Sequence, residues 1–250
     1  MADIILRTEN LCKYYTGVRA NHQVNLDLRR GEIHALIGPN GAGKTTTVAQ
    51  LSGELAATSG SIFLEDTEIT DLPTHRRALI GVARSFQVNS VFDDMTVLDN
   101  FGLAVQAHRG HSFRFWSPIR RHPGINREAT ELARQFGLGN ALDAIAGTLA
   151  HGEKRQLEVG LTLAGNPQVL LLDEPMAGIG SGGSKKLTEL LDGLRGRYSI
   201  LLVEHDMDAV FTLADRISVL VYGEIIATGS VDEIRNNRRV QQAYLGEADA

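Results

Sequence analysis

The residues between Gly38 and Thr45 have types and spacing suited to holding phosphate. Gly38-Pro39-Asn40-Gly41-Ala42-Gly43-Lys44-Thr45 fits the pattern G-x-x-x-x-G-K-[ST], and its positions have physical reasons. Gly38, Gly41 and Gly43 lack a Cβ, so the backbone can turn its N–H groups inward as a nest for phosphate oxygens. Lys44 has the reach for β- and γ-phosphates, Thr45 can offer its hydroxyl to Mg²⁺, and Thr46 can hold a more distal phosphate. Downstream, an apolar run ends in Asp173-Glu174. The first carboxylate suits a Mg²⁺-positioning role, and the second is placed to orient or deprotonate a water. Another apolar run ends in Glu204-His205-Asp206, and Nε2 of His205 can donate to a γ-phosphate. Singly, these are a glycine-rich connection, a solvated acidic turn and a structural histidine; together they describe hydrolysis of a nucleoside triphosphate.

These groups act together only if the chain delivers them to one place. Ile33 to Ile37 reads as a buried strand entering the glycine turn, and a helix beginning near Lys44 aims its positive dipole end at the same spot. Val169–Leu172 and Ser199–Val203 are continuous apolar runs, as expected of parallel strands buried on both faces. In open α/β sheets ligands sit beyond the carboxyl ends of such strands.

Upstream, Ile4 to Leu28 alternates apolar and polar residues and predicts two antiparallel strands. The aromatic pair Tyr14-Tyr15 between them either stacks on a purine ring or packs on the sheet. Further strands are predicted at 60–65 and 82–86, the latter ending at Gln87, which alone has no assigned role. Pro73 sits early in a short helix. From Asp93 to Gly165 the pattern turns helical: Thr96 and Asp99 form a capping box, and Asn126 caps a second helix that stops at Gly137. The intervening 109–122 is basic and aromatic, fit for nucleic acid, a membrane surface, a partner protein or its own helices. Leu149-Ala150-His151-Gly152-Glu153 is a glycine turn opening another helix and a second anion site, which one loop cannot easily place on the same phosphate. That hints at a second copy of the protein. Ser184 is expected to cap a helix, residues 216–228 to form a hairpin, and 231–245 a closing helix.

With 250 residues, 43% hydrophobic and 22% charged, the composition is that of a soluble globular chain. The net charge of −5 argues against general nucleic-acid binding without forbidding a polyanionic ligand, since contacts in a nest act inside the screening length. The single cysteine, Cys12, excludes an intrachain disulfide and suits a reducing cytosol. The start of the chain has no signal-peptide core, and no apolar run approaches the roughly 18 residues that span a bilayer.

With these motifs in place, the chain resembles the nucleotide-binding subunits of ABC transporters over essentially its whole length. The details are most similar to ATPases of branched-chain amino acid importers and their urea-importing relatives: Arg84-Ser85-Phe86-Gln87, 95–100, 151–158, 203–207 and 243–247 carry the likeness. The resemblance implies a RecA-like α/β P-loop core with an antiparallel β-subdomain (1–87 and 166–230), an inserted α-helical subdomain (88–165) and a C-terminal helix (231–245). It implies ATP and Mg²⁺ as ligands, with two subunits meeting head to tail around two ATP molecules. Gly38, Asn40, Gly41, Ala42, Gly43, Lys44, Thr45 and Thr46 would hold the nucleotide and Tyr15 would stack on adenine. Thr45, Gln87 and Asp173 would serve the metal. Glu174 would act on the attacking water and His205 would sense the γ-phosphate. Ala150, His151, Gly152 and Glu153 would grip the nucleotide of the opposite subunit. Gln87 would link Mg²⁺ and the water to transmembrane permease subunits, one of whose helices would dock beside the helical subdomain. An extracytoplasmic binding protein would take part indirectly, nucleic acid would not, and the chain would be peripheral on the cytoplasmic face of the inner membrane.

Two positions depart from the family pattern. Ala150 stands where a serine is usual, although members of this branch can carry alanine, and the stretch 177–183 lacks the aspartate or asparagine that the family has near Gly180 to cross the dimer interface. The first is expected to weaken the grip on phosphate, since a hydroxyl bonded to a charged phosphate is worth roughly 1.5 to 3 kcal/mol. Both fit an alternative in which the chain is a weakly hydrolysing regulatory member of a heterodimeric pair; import of urea is another.

Overall fold

The computed structural model describes residues 3–85, 91–109 and 122–245. Gln87 and nearly all of the basic aromatic stretch 109–122 lie outside the described residues.

The chain opens with β1 (Ile4–Tyr15), β2 (Val18–Val24) and β3 (Asp27–Arg29), then enters β4 (Ile33–Ile37) and α1 (Lys44–Ser52). Next come β5 (Ser59–Leu64), β6 (Thr67–Glu68), α2 (Thr74–Leu79) and β7 (Val82–Arg84). Helices α3 (Val97–His108), α4 (Pro123–Gln135) and α5 (His151–Thr162) follow, with no named strand among the described residues between them. The remainder is β8 (Val169–Asp173), α6 (Ser181–Asp192), β9 (Ser199–Val203), α7 (Met207–Leu213), β10 (Arg216–Val221), β11 (Glu224–Gly229), α8 (Val231–Arg235) and α9 (Arg238–Leu245).

Two sheets result. One is antiparallel, ordered β2-β1-β5-β6 with β3 also on β1; the other is ordered β11-β10-β4-β9-β8-β7 and is parallel except at β11. Every residue of β4, β8 and β9 is buried, which is why these strands are apolar apart from His34, Asp173 and Ser199. The α/β core expected from the sequence is thus present. Helices α3 to α5 close over their own apolar cluster, including Val97, Phe101, Ala133 and Leu157.

Local signals at helix ends held in some places and not others. Thr96 caps α3, accepting from the Asp99 N–H, and its hydroxyl donates to the Asp99 carboxylate. Asn126 does not cap α4: the helix starts at Pro123, whose fixed φ suits a first helical position, so Asn126 falls within the first turn. Ser184 likewise lies inside α6, which starts at Ser181 after Gly180, and its hydroxyl donates to Asp206. The closing helix is two helices, because the Asn237 side chain accepts from the N–H groups of Arg239 and Val240 and starts α9 afresh.

The strand feeding the phosphate loop is anchored by a buried ion network. Arg216 donates to Asp27 and Glu32, and His34, the second residue of β4, bonds the Asp27 carbonyl and the Ser218 hydroxyl. Burial alone would raise the Glu32 carboxyl, but hydrogen bonds with His34, the Arg29 N–H and Arg216 overcome it and hold it at about 2. A folded pKa below the unfolded one adds stability that is complete above the unfolded value and lost as pH falls through the folded one; this gap corresponds to roughly 3 kcal/mol. Glu32→Gln should therefore lower the melting temperature at neutral pH, with the difference from the parent shrinking below about pH 4.5 and gone near pH 2. Melts across that range check it.

Candidate functional site

The topology lines up three strand ends. Val203 at the end of β9 pairs with Leu36 of β4 on one side and with Asp173 of β8 on the other. Gly38 follows Leu36 by two residues, Glu174 follows Asp173 by one, and His205 follows Val203 by two, so all emerge at one edge.

The loop from Gly38 to Gly43 is shaped by contacts only glycine permits at its ends. A Cβ on Gly38 would stand 2.0 Å from the Leu220 carbonyl oxygen, and one on Gly43, at φ 105°, 2.3 Å from that of Ala20. The loop is thus wedged between β10 and β2. Gly223, at the turn between β10 and β11, donates its N–H to the Ala42 carbonyl, and Asn21 of β2 donates to the Thr47 hydroxyl. Ala42 is buried while Asn40, Gly41 and Thr45 are exposed. Lys44 is buried, and its ammonium donates to the carbonyls of Gly38 (2.6 Å) and Pro39 (2.9 Å), curling the loop around it. Thr46 is half-buried beside Thr45 in the first turn of α1.

The Asp173 side chain has no solvent exposure. Arg84 donates to its Oδ2 at 3.0 Å and to Glu54 at 2.6 Å, while Oδ1 is buried with no hydrogen-bond partner. Burial raises the Asp173 carboxyl and the neighbouring Glu174 charge adds to this; Arg84 and Lys44 pull the other way without cancelling it. A buried carboxylate oxygen without a donor, in reach of Lys44's field and at the edge bearing the Thr45 hydroxyl, is the donor set for a hard cation completed by phosphate and water. These residues fit Mg²⁺.

Glu174 adopts φ 49°, an uncommon conformation for a residue with a side chain. Its N–H donates to the Val203 carbonyl at 2.8 Å, and Arg155 of α5 grips the Glu174 and Pro175 carbonyls at 2.8 Å each. The Glu174 carboxylate is one-third exposed and lies 4.0 Å from Nδ1 of His205, itself 64% exposed. Both are thus open to a ligand.

Tyr15 ends β1 with half its surface exposed and Lys13 poised over its ring. Ala150 is the N-cap of α5 and has no hydroxyl, so only half a capping box forms: Glu153 accepts from the Ala150 N–H, and nothing is returned. This turn sits on the segment after Glu174. His151 borders Gly178, and Gly152 meets Gly183 closely enough that a Cβ on either would touch the other's Cα.

Two contributors were not legible as such. Arg84 and Arg155 lie in stretches that carry the family likeness, but an arginine inside a strand or helix does not announce a buried partner.

A family model described as "ABC transporter" matches residues 21–177, and one described as "Branched-chain amino acid ATP-binding cassette transporter" matches residues 224–250. The chain is 39% identical to the high-affinity branched-chain amino acid transport ATP-binding protein LivG of Salmonella typhimurium, over 99% of this chain and 100% of that one. It is 37% identical to BraF of Pseudomonas aeruginosa, described in the same words, over 99% and 100%. Among solved structures, the ADP conformation of MJ1267, an ATP-binding cassette of an ABC transporter, superposes with a TM-score of 0.86 at 28% identity, covering 97% of this chain and 99% of that one.

Proposed function

The chain belongs to the ABC transporter family, and we propose that the ATP it hydrolyses drives import of branched-chain amino acids through separate permease subunits. The observation that carries the ATPase reading is the single row formed by the phosphate loop, Asp173-Glu174 and His205 at one sheet edge. Full-length likeness to branched-chain amino acid transport proteins supports the substrate.

In this reading backbone N–H groups of the 38–46 loop and Lys44 bind the phosphates, and Tyr15 stacks on adenine. Thr45 and Asp173 hold Mg²⁺, which when bound neutralises charge developing on the phosphoryl oxygens. Glu174 orients the attacking water and accepts its proton. His205 donates to the γ-phosphate. Gln87 falls to the same metal and water by family resemblance alone.

Because the 150–153 turn sits against Gly178 and Gly183, it serves a phosphate loop by offering the α5 N-terminus to a second ATPase subunit, identical or related. Ala150→Ser supplies the missing hydroxyl. It should complete the capping box, raise the melting temperature by about 2–4 °C, and tighten apparent ATP affinity during turnover by about one decade. Melts and steady-state kinetics check the two effects separately.

An apolar cleft of about 490 Å³ lies between α2, β7 and α3, lined by Ala78, Phe92, Leu103, Ala107 and Leu161 among others. Phe92 is well exposed there. On the likeness to transport ATP-binding proteins we assign this cleft to a cytoplasmic helix of the permease and place the chain peripherally on that face.

The test is reconstitution. The chain should co-purify with its permease subunits, and in proteoliposomes containing the cognate binding protein its ATPase rate should rise with leucine, isoleucine or valine. A rate that responds to urea and to none of these would overturn the substrate assignment.

A further inference from the structure

Glu204 has no part in the chemistry assigned to Glu174 and His205, yet its side chain is fully shielded from solvent. Burying a carboxylate is costly unless donors compensate it. Here they are backbone N–H groups from two different loops. Oε1 accepts from Met176 at 2.6 Å, and Oε2 accepts from His205 at 3.0 Å and Asp206 at 3.3 Å. Such charge-assisted bonds are short and directional.

The placement of that bridge matters. Strands β8 and β9 stay paired as far as Asp173 and Val203, and the Glu174 N–H adds one more bond to the Val203 carbonyl. Beyond this the chains part, one into the turn after Glu174 and the other toward α7. Glu204 spans the gap at this fork, tying the turn that carries Glu174 to the loop that carries His205. The Glu174 backbone is in the left-handed region, a conformation kept only where the surroundings over-determine it. Arg155 restrains that turn from the α5 side, and Glu204 restrains it from the β9 side.

We propose that Glu204 is a positioning residue, a buried bridge that fixes the separation of the Glu174 turn and the His205 loop so that both meet the same γ-phosphate. The proposal rests on the roles given above to Glu174 and His205. Aspartate would be one methylene too short to span both loops. Glutamine fills the same volume but keeps a single acceptor oxygen, so its amide must face N–H donors on one side of the gap.

The experiment compares Glu204→Ala, Glu204→Gln and Glu174→Gln in the full chain assembled with its permease subunits, reading kcat, KM, ATP affinity and melting temperature. Glu204→Ala should lower kcat by about 10- to 100-fold, the scale of a misplaced catalytic group, with ATP affinity within about 3-fold of the parent. Glu204→Gln should recover part of that loss. The bridge is overturned if kcat per folded molecule stays at the parental value while only the melting temperature falls, or if ATP affinity weakens in step with kcat. Should Glu204→Ala fail to fold, the isosteric Glu204→Gln decides alone: unchanged kcat overturns the proposal. If Glu174→Gln keeps its turnover, the catalytic reading beneath the bridge falls; if Glu174→Gln is inactive and Glu204→Gln is parental, only the bridge falls.

Discussion

Glu174→Gln should lower ATP turnover by about 10²- to 10⁴-fold, the usual worth of a positioned proton acceptor, while ATP affinity stays within a few-fold of the parent. Glutamine matches glutamate in shape, so the Glu174 turn and its backbone bonds to Val203 and Arg155 are unaffected. What it loses is the capacity to take a proton from water. The phosphate nest and Lys44 are untouched. Removing the Glu174 charge also relieves one of the influences that raise the Asp173 carboxyl, so nucleotide binding should hold or tighten. Single-turnover hydrolysis beside equilibrium ATP binding separates the two quantities. Turnover within a few-fold of the parent would remove Glu174 from the chemistry.

Lys44→Ala should act at the other end of the reaction, weakening ATP binding by about 100-fold or more. A hydrogen bond from a charged donor contributes about 1.5–3 kcal/mol, roughly one to two decades of affinity, and Lys44 is suited to more than one phosphate oxygen. The structure adds a second loss. The Lys44 ammonium holds the carbonyls of Gly38 and Pro39, so alanine also leaves the loop without the cation around which it curls. Lys44 is one of the two cations lowering Asp173, and its removal disfavours the ionised carboxylate. Titration calorimetry with ATP reads the first effect, and a lower melting temperature without nucleotide reads the second. Affinity within about 3-fold of the parent would show that the nest alone carries the phosphates.

The contrast between these sites and the helix ends shows what a sequence can carry. The spacing of Gly38, Gly43 and Lys44 is local, and so is the run of five buried residues that makes β4, β8 or β9. Short-range sterics and burial on both faces act within a few residues, so the phosphate loop, the parallel strands and the carboxylates at their ends were all legible. The starts of α4 and α6 were less so, because proline and glycine moved the caps four residues earlier, to His122 and Gly180, and the side chains expected as caps found other positions. Nothing local marks Arg84 as the partner of Asp173, 89 residues away, or Arg155 as the clamp on Glu174.

By itself, then, the sequence determined the chemistry on offer: a nest for phosphate, carboxylates and a histidine at strand ends, and the core order that puts them on parallel strands. Only the tertiary structure decided their distances, the orphaned oxygen of Asp173, the unreturned cap at Ala150 and the buried bridge of Glu204. The reason is physical. Propensity and hydrophobic pattern are properties of neighbours along the chain, whereas desolvation, ion pairing and hydrogen bonds between loops depend on which distant segments the packed sheet brings together.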